Sequence, residues 1–180
     1  MKNGLWIPIK IQILYKGEYE LHHTNIKMEK TRGFEIAKGF ENSDIHLPQR
    51  KTAYSAGYDF EAAEDTIIPS FKAGIAPTLI KTGIKAYMQD DEMLCLYNRS
   101  SNPKKKGLIL SNSVGIVDKD YYGNPDNDGA IMFAFYNNRA EDVEIKKGDC
   151  IGQGIFQKYM TVDNDNAEGA RMGGFGSTSI

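Results

Sequence analysis

An all-β sandwich or barrel is the fold class predicted for this chain, and three observations predict it. From Ala53 onward, short apolar runs rich in β-branched and aromatic residues recur, among them Thr66-Ile67-Ile68, Thr78-Leu79-Ile80, Met93-Leu94-Cys95-Leu96-Tyr97 and Ala130-Ile131-Met132-Phe133-Ala134-Phe135-Tyr136. Gly, Pro, Asn and Asp separate these runs, which is how turns punctuate short antiparallel strands. No stretch carries ten or more residues of 3.6-residue periodicity, and neither a Walker A segment nor a GxGxxG following a strand is present, so a doubly wound α/β sheet is disfavoured.

The opening residues fit the same class. Ile7, Ile9, Ile11 and Ile13 alternate with Pro8, Lys10, Gln12 and Leu14, a period of two with a proline that suits an edge strand. From Lys16 to Lys30 the chain is charged and carries His22 and His23 without apolar periodicity. Residues 1–27 are therefore expected to be an appendage, residues 28–165 a single β domain, and residues 166–180 a flexible C-terminal lid. Adjacent histidines project differently and only His46 accompanies them, so they are read as surface rather than as metal ligands. Lys104-Lys105-Lys106 is a solvated cationic turn.

Composition narrows the function. With 180 residues, 41% hydrophobic and 26% charged, one domain with one core is expected. A net charge of −2 gives no general attraction for nucleic acid or an acidic membrane, so a bound anion must be held by local cations and backbone amides. Cys95 and Cys150 lie far apart, outside any CxxC spacing, which suits a reducing cytoplasm. The apolar start around Trp6 is interrupted by Pro8 and Lys10 and is too short to span a bilayer.

Chemistry is sought where polar, glycine-bearing segments interrupt the apolar runs. In Ser111 to Gly123, β-branched Val114, Ile116 and Val117 flank Gly115 and lead to Asp118-Lys119-Asp120-Tyr121-Tyr122, which reads as a β-hairpin displaying an acid. In extended chain Asp118 and Asp120 point to one face, where each would raise the other's pKa unless a cation or metal intervenes. Ala56-Gly57-Tyr58-Asp59-Phe60 sets an acid among aromatic neighbours. Arg99-Ser100-Ser101 ends an apolar run with a guanidinium and two hydroxyls, a set suited to phosphate. Gly148-Asp149-Cys150-Ile151-Gly152-Gln153 opens a strand bearing an uncharged amide. The tail, Arg171-Met172-Gly173-Gly174-Phe175-Gly176-Ser177-Thr178, combines a cation, glycines whose N–H groups can meet phosphate oxygens, hydroxyls, and a ring able to stack on a base.

In this order the five segments resemble the five motifs of the trimeric dUTP pyrophosphatases, the dUTPases. The resemblance runs from about Arg32 to the C-terminus and is closest to versions from Gram-positive bacteria and their phages, in which Arg-Ser-Ser-Asn-Pro is followed by lysines. It implies a jelly-roll-like homotrimer with sites at subunit interfaces, the tail of one subunit closing over a site built by the others. It further implies hydrolysis of dUTP to dUMP and pyrophosphate with Mg2+, removing dUTP and supplying dUMP for thymidylate synthesis.

By the same resemblance Asp118 is the general base for a water attacking the α-phosphorus, and Asp59 meets the metal through water. Asn112, Gly115, Val117 and their neighbouring main chain read uracil, where a site built to hydrogen-bond one base leaves polar groups unpaired with another at a cost of up to ~10⁴-fold. Tyr121 packs on the deoxyribose. Arg99, Ser100, Ser101 and Gln153 hold phosphates, as do Arg171, Ser177 and Thr178 from the tail, with Gly176 beside them and Phe175 over the base. Departures from the motifs are Asn98 for a common proline, Tyr122 for a common arginine, Cys150 for an arginine, and a tail one residue shorter between Arg171 and Phe175. A dCTP deaminase of the same fold is the nearest alternative, disfavoured by the Val-Asp-Lys-Asp-Tyr order and the Gly-Phe-Gly-Ser-Thr tail. A phage-type enzyme with an added regulatory protein partner is the other.

Overall fold

The structure is a computed structural model that describes residues 6–11, 22–27, 30–74, 76–169, 171, 173 and 174. The chain divides into two compact units, Met1–Thr31 and Arg32–Ile180. In the first, β1 (Trp6–Ile11) pairs antiparallel with β2 (His22–Lys27), from Trp6 opposite Lys27 to Ile11 opposite His22. The strand expected at the start is thus present over Trp6–Ile11. Its partner lies in the stretch read as patternless, because a two-stranded ladder is made by backbone groups and needs no apolar alternation to form.

In the second unit the strands in chain order are β3 (Gly33–Ile36), β4 (Tyr58–Glu61), β5 (Thr66–Ile68), β6 (Thr78–Lys81), β7 (Ile84–Tyr87), β8 (Glu92–Asn98), β9 (Leu108–Leu110), β10 (Val114–Asp118), β11 (Met132–Asn137), β12 (Val143–Ile145) and β13 (Cys150–Lys158). They form a four-stranded sheet in the order β10-β8-β13-β4, a three-stranded sheet β6-β11-β9, and the pairs β12-β5 and β3-β7, all antiparallel. This is the all-β class that the spacing of apolar runs predicts.

Strands from all four of these sheets send side chains into one core, which includes Phe60, Ile80, Leu94, Phe133, Phe135 and Ile151, all essentially without solvent contact. The rings of Phe133 and Phe135 stack with centroids 6.2 Å apart, and Phe60 meets Phe133 at 5.6 Å. Alternation does the sorting: on β11 every second residue is buried, and on β10 Gly115 and Val117 face inward while Val114, Ile116 and Asp118 face out.

Two local expectations change. Ser111 to Asp118 is not half of a two-stranded hairpin, since β9 pairs with β11 whereas β10 pairs with β8. Ser111–Ser113 instead carry the chain from one sheet to the other, with Ser113 at φ 58° and the Ser111 N–H donating to Ala134 O at 2.9 Å. The lysine run is not a turn but part of a five-residue helix, α1 (Asn102–Lys106), closed by Gly107 in the left-handed region. Asn102 anchors it by donating through Nδ2 to Ile151 O and to Asn98 Oδ1, both at 2.8 Å. That anchor fixes Arg99, Ser100 and Ser101 between β8 and α1. Among the described residues no helix is long and apolar enough to cross a membrane.

Gly152 marks where the core tolerates no side chain, because a Cβ there would lie 2.1 Å from Phe133 Cε1. Gly152→Ala should therefore destabilise the domain by ~1–3 kcal/mol in denaturant unfolding, the range for overpacking a tight core. Gly169→Ala, with no atom within 4 Å of the new carbon, should stay within about 0.5 kcal/mol of the parent.

Candidate active site

The acid-bearing segment builds one wall of a cavity of about 320 Å³ lined by Leu96, Asn112, Gly115, Ile116, Val117, Asp118, Tyr121, Ile131, Met132 and Arg171. Each lining residue has a local cause. Gly115 faces inward on β10 and leaves room that a side chain would take, since a Cβ would sit 3.1 Å from Leu96 Cβ and 3.3 Å from Asn112 Nδ2. Asn112 is carried into place by the sheet-to-sheet crossing. Asp118 closes β10, and the 3-10 turn Lys119–Tyr121 then swings the Tyr121 ring inward, where it is 7% exposed. Four residues proposed from sequence for the base and sugar (Asn112, Gly115, Val117 and Tyr121) thus meet Asp118 in one hollow. Leu96, Ile131 and Met132 complete it and were not singled out from sequence, because an apolar residue that lines a cavity follows the same strand pattern as one in the core.

The 3-10 turn also breaks the extended chain in which Asp118 and Asp120 would share a face, yet both reach one cation. Arg171 donates through Nε to Asp120 Oδ1 at 2.7 Å and through Nη2 to Asp118 Oδ2, and its Cζ lies 5.8 Å from the Tyr121 ring centroid. The hydrogen bond to Asp120, reinforced by the charges of Asp120 and Asp118 against partial burial, holds the guanidinium above its ordinary pKa. A cation therefore stands between the two carboxylates. Within the one chain described, Arg171 lies on Asp118 and Asp120. Charge-assisted hydrogen bonds from one guanidinium to two carboxylates are among the stronger polar contacts a side chain can make.

A second cluster gathers the remaining segments. Antiparallel pairing puts Gln153 of β13 opposite Asp59 of β4 on one side and opposite Tyr97 of β8 on the other. Arg99, one residue beyond β8, lies with Nη2 3.8 Å from Asp59 Oδ2 and donates through Nη1 to Cys150 O at 3.4 Å. Gln153 Nε2 donates to Asn98 O at 3.4 Å, and a Cβ on Gly57 would collide with Gln153 Oε1 at 2.1 Å. Ser100 is exposed and Ser101 half-buried just before α1, with no side-chain capping bond. Asp59, Arg99, Ser100, Ser101 and Gln153 are brought together in this way. Phe175, Gly176, Ser177 and Thr178 lie outside the described residues.

The two clusters occupy opposite ends of the same strand. Asp118 stands opposite Met93 near the start of β8 and Arg99 follows its last residue, Asn98. From Met93 to Arg99 at about 3.3 Å per residue the separation is ~20 Å.

Comparison with known proteins decides the family. The family model described as dUTPase matches residues 43–179. The deoxyuridine 5′-triphosphate nucleotidohydrolase of Lactococcus lactis is 50% identical over 151 residues, covering 83% of this chain and 98% of that protein. The chain belongs to the dUTPase family. The crystal structure of a dUTPase from Streptococcus mutans is 44% identical, covers 73% of this chain and 98% of that one, and superposes with a TM-score of 0.68. A dUTPase from phage phi11 of S. aureus shares the fold at 17% identity, with a TM-score of 0.61 over 78% of this chain and 97% of that one. In this chain the described part of the tail rests with Arg171 on Asp118 and Asp120.

Asp120→Asn should loosen that rest position. Amide hydrogen exchange over residues 165–174 should speed up by as much as ~5-fold, the equilibrium equivalent of the upper value for a solvent-facing ion pair, with exchange in β8 and β13 unchanged.

Proposed function

We propose that this chain hydrolyses dUTP to dUMP and pyrophosphate in the cytoplasm, at sites shared between copies of a homotrimer, with Asp118 as general base. The observation that carries the reading is the division of the chain into two half-sites. A general base must lie within ~3 Å of the water it deprotonates, or one further water away. Asp118 therefore cannot serve a phosphate held by Arg99 some ~20 Å along β8 of the same chain, whereas it can serve one held by Arg99 of another copy.

In the proposed reaction, uracil enters the cavity and meets Asn112 and the main chain from Ser113 to Val117. The absent side chain at Gly115 leaves room for it. Tyr121 supports the deoxyribose. Arg99, Ser100, Ser101 and Gln153 supply donors to the phosphates, and the tail adds Arg171, Gly176, Ser177 and Thr178, with Phe175 over the base. Asp118 takes a proton from water, the new bond forms between that oxygen and the α-phosphorus, and the bond to the bridging oxygen breaks to release pyrophosphate.

A metal is implied by this chemistry, and the residues fit magnesium of a particular kind. Asp59, with Arg99 already 3.8 Å away, is the carboxylate among the phosphate-binding residues, and no group of three or more potential ligands forms among the described residues. That donor set suits Mg2+ that keeps several waters and takes its other ligands from substrate phosphates, with Asp59 acting through water. When bound, the ion supplies neutralisation of triphosphate charge.

Asp118→Asn should reduce dUTP turnover by ~10²–10⁴-fold, the range for loss of a general base, while a non-hydrolysable dUTP analogue still binds in calorimetry. Near-normal turnover would remove Asp118 from the mechanism. Co-refolding the inactive Asp118→Asn protein with inactive Arg99→Ala protein should regenerate activity above the sum of the two, because some sites then receive an intact base from one copy and an intact guanidinium from another. With mixed oligomers verified by mass spectrometry, no gain over the parents would mean that each chain builds its own site.

A further inference from the structure

Behind Tyr121 lies a loop that the proposed reaction does not use. Residues 122–130 read Tyr-Gly-Asn-Pro-Asp-Asn-Asp-Gly-Ala, a run of turn-forming residues that leads into β11. The loop is braced against itself: Asp128 N–H donates to Asn124 O at 2.7 Å, Asp126 N–H to Asn124 Oδ1 at 3.0 Å, and Gly123 N–H to Asp128 O at 3.3 Å. It is also tied outward, since Asp128 Oδ2 accepts from Lys38 N–H at 2.8 Å and from Lys85 Nζ at 2.7 Å. Burial opposes the charge on Asp128, but those two donors hold its carboxyl below the usual range.

From this braced loop one side chain reaches the site. Asn127 donates through Nδ2 to Tyr121 Oη at 2.7 Å, and Tyr121 Oη donates to Ala130 O at 3.3 Å. The hydroxyl thus both accepts and donates to the same loop. Asn127 is itself oriented, because its Oδ1 accepts the Gly129 N–H at 3.0 Å. Gly129 can do this only without a side chain: at φ 79° its Cβ would lie 2.4 Å from Tyr121 O. The tail backbone is also close to that end of the ring, a Cβ on Gly174 falling 2.7 Å from Tyr121 Cε2. A ring held at its hydroxyl by a donor and an acceptor of one braced loop keeps one position.

We infer that Asn127 is a positioning residue for sugar selection: by fixing Tyr121 Oη it holds the ring where it leaves room for a 2′-deoxyribose and none for a 2′-hydroxyl. The inference rests on the proposed dUTP hydrolysis, in which Tyr121 supports the sugar. Its physical core is that a shape-based rejection of one extra oxygen is only as strict as the wall is stiff. An aromatic wall free to pivot at its hydroxyl end gives way to the extra atom. Steric discrimination of this size is worth ~10–200-fold, so it is sensitive to small displacements.

The test compares dUTP with UTP, both with magnesium, in the full chain and in Asn127→Ala, Tyr121→Phe, the double variant and Tyr121→Ala. The ratio of kcat/KM for dUTP to that for UTP should fall ~10-fold in Asn127→Ala, with the loss for dUTP mainly in KM and a real rise for UTP. Tyr121→Phe removes the hydroxyl, and with it the bond to Ala130 O as well, and should lower the ratio at least as far. The double variant should be no worse than Tyr121→Phe, because once the hydroxyl is gone Asn127 has nothing to hold on the ring. A merely structural role would lower activity on both nucleotides together and leave their ratio unchanged. If Asn127→Ala fails to fold, Tyr121→Phe alone decides, since a ratio equal to that of the parent overturns the inference. A ratio that collapses in Tyr121→Ala but holds in both Asn127→Ala and Tyr121→Phe would keep Tyr121 as the sugar wall and overturn the role of Asn127. A parent chain that turns over neither nucleotide would overturn the hydrolase reading and this inference with it.

Discussion

The position of β8 between β10 and β13 is the constraint on which the rest depends. Antiparallel ladders fix which residues stand opposite one another, and a slip of one residue would turn every side chain to the other face. Here the ladder sets Asp118 opposite Met93, Val114 opposite Tyr97, and Gly152 opposite Asn98. One strand therefore decides that the acid lies at one end and the guanidinium of Arg99 at the other. The same ladder buries Leu94 and Leu96 beneath the sheet. The core that stabilises the domain and the spacing that divides the site are consequences of a single register.

Close approach is the second physical theme, and glycine is how the chain achieves it. At Gly152 the neighbour is a core ring, at Gly57 it is Gln153, and at Gly174 it is the edge of Tyr121. None of these three lies at positive φ, so space rather than backbone strain selects the residue there. Gly129 combines both demands, which explains how a loop can pass directly behind a residue of the cavity wall.

Sequence patterning made the strand class legible because alternation and turn residues act locally. The runs at Thr66, Thr78 and Met93 became β5, β6 and β8 with ends shifted by at most one residue. Asp59, Arg99 and Gln153 were legible as polar interruptions of apolar text, and pairing then gathered them. What was not legible is what pairing alone determines: the partner of β10, the strand at His22–Lys27, and the apolar walls at Leu96, Ile131 and Met132. Asn127 carried a local signal, a run of Asn, Asp, Pro and Gly, but that run reads as an ordinary turn. Only a 2.7 Å contact to Tyr121 distinguishes it. The resting place of Arg171 was hidden for a different reason, since the attraction between a tail and two carboxylates fifty residues earlier leaves no trace in spacing.

Departures from local rules also have a location. Three described residues other than glycine adopt positive φ, namely Ser113, Asp128 and Asn164. Asn and Asp tolerate that region through local hydrogen bonding, whereas serine does so less readily. Ser113 lies in the crossing that carries Asn112 into the cavity, and Asp128 in the loop that holds Tyr121. Asn124, in the same loop, is 3% exposed and its Nδ2 has no hydrogen-bond partner among the described residues, a costly arrangement in a folded chain. Ser113, Asp128 and the buried amide of Asn124 thus fall in the two loops that shape one hollow, while Asn164 sits in a turn after β13. A chain selected for stability alone would have little reason to concentrate such costs there. A chain that must hold an amide and a tyrosine ring in fixed positions has one, because irregular backbone is what aims those side chains at the cavity that regular strands only enclose.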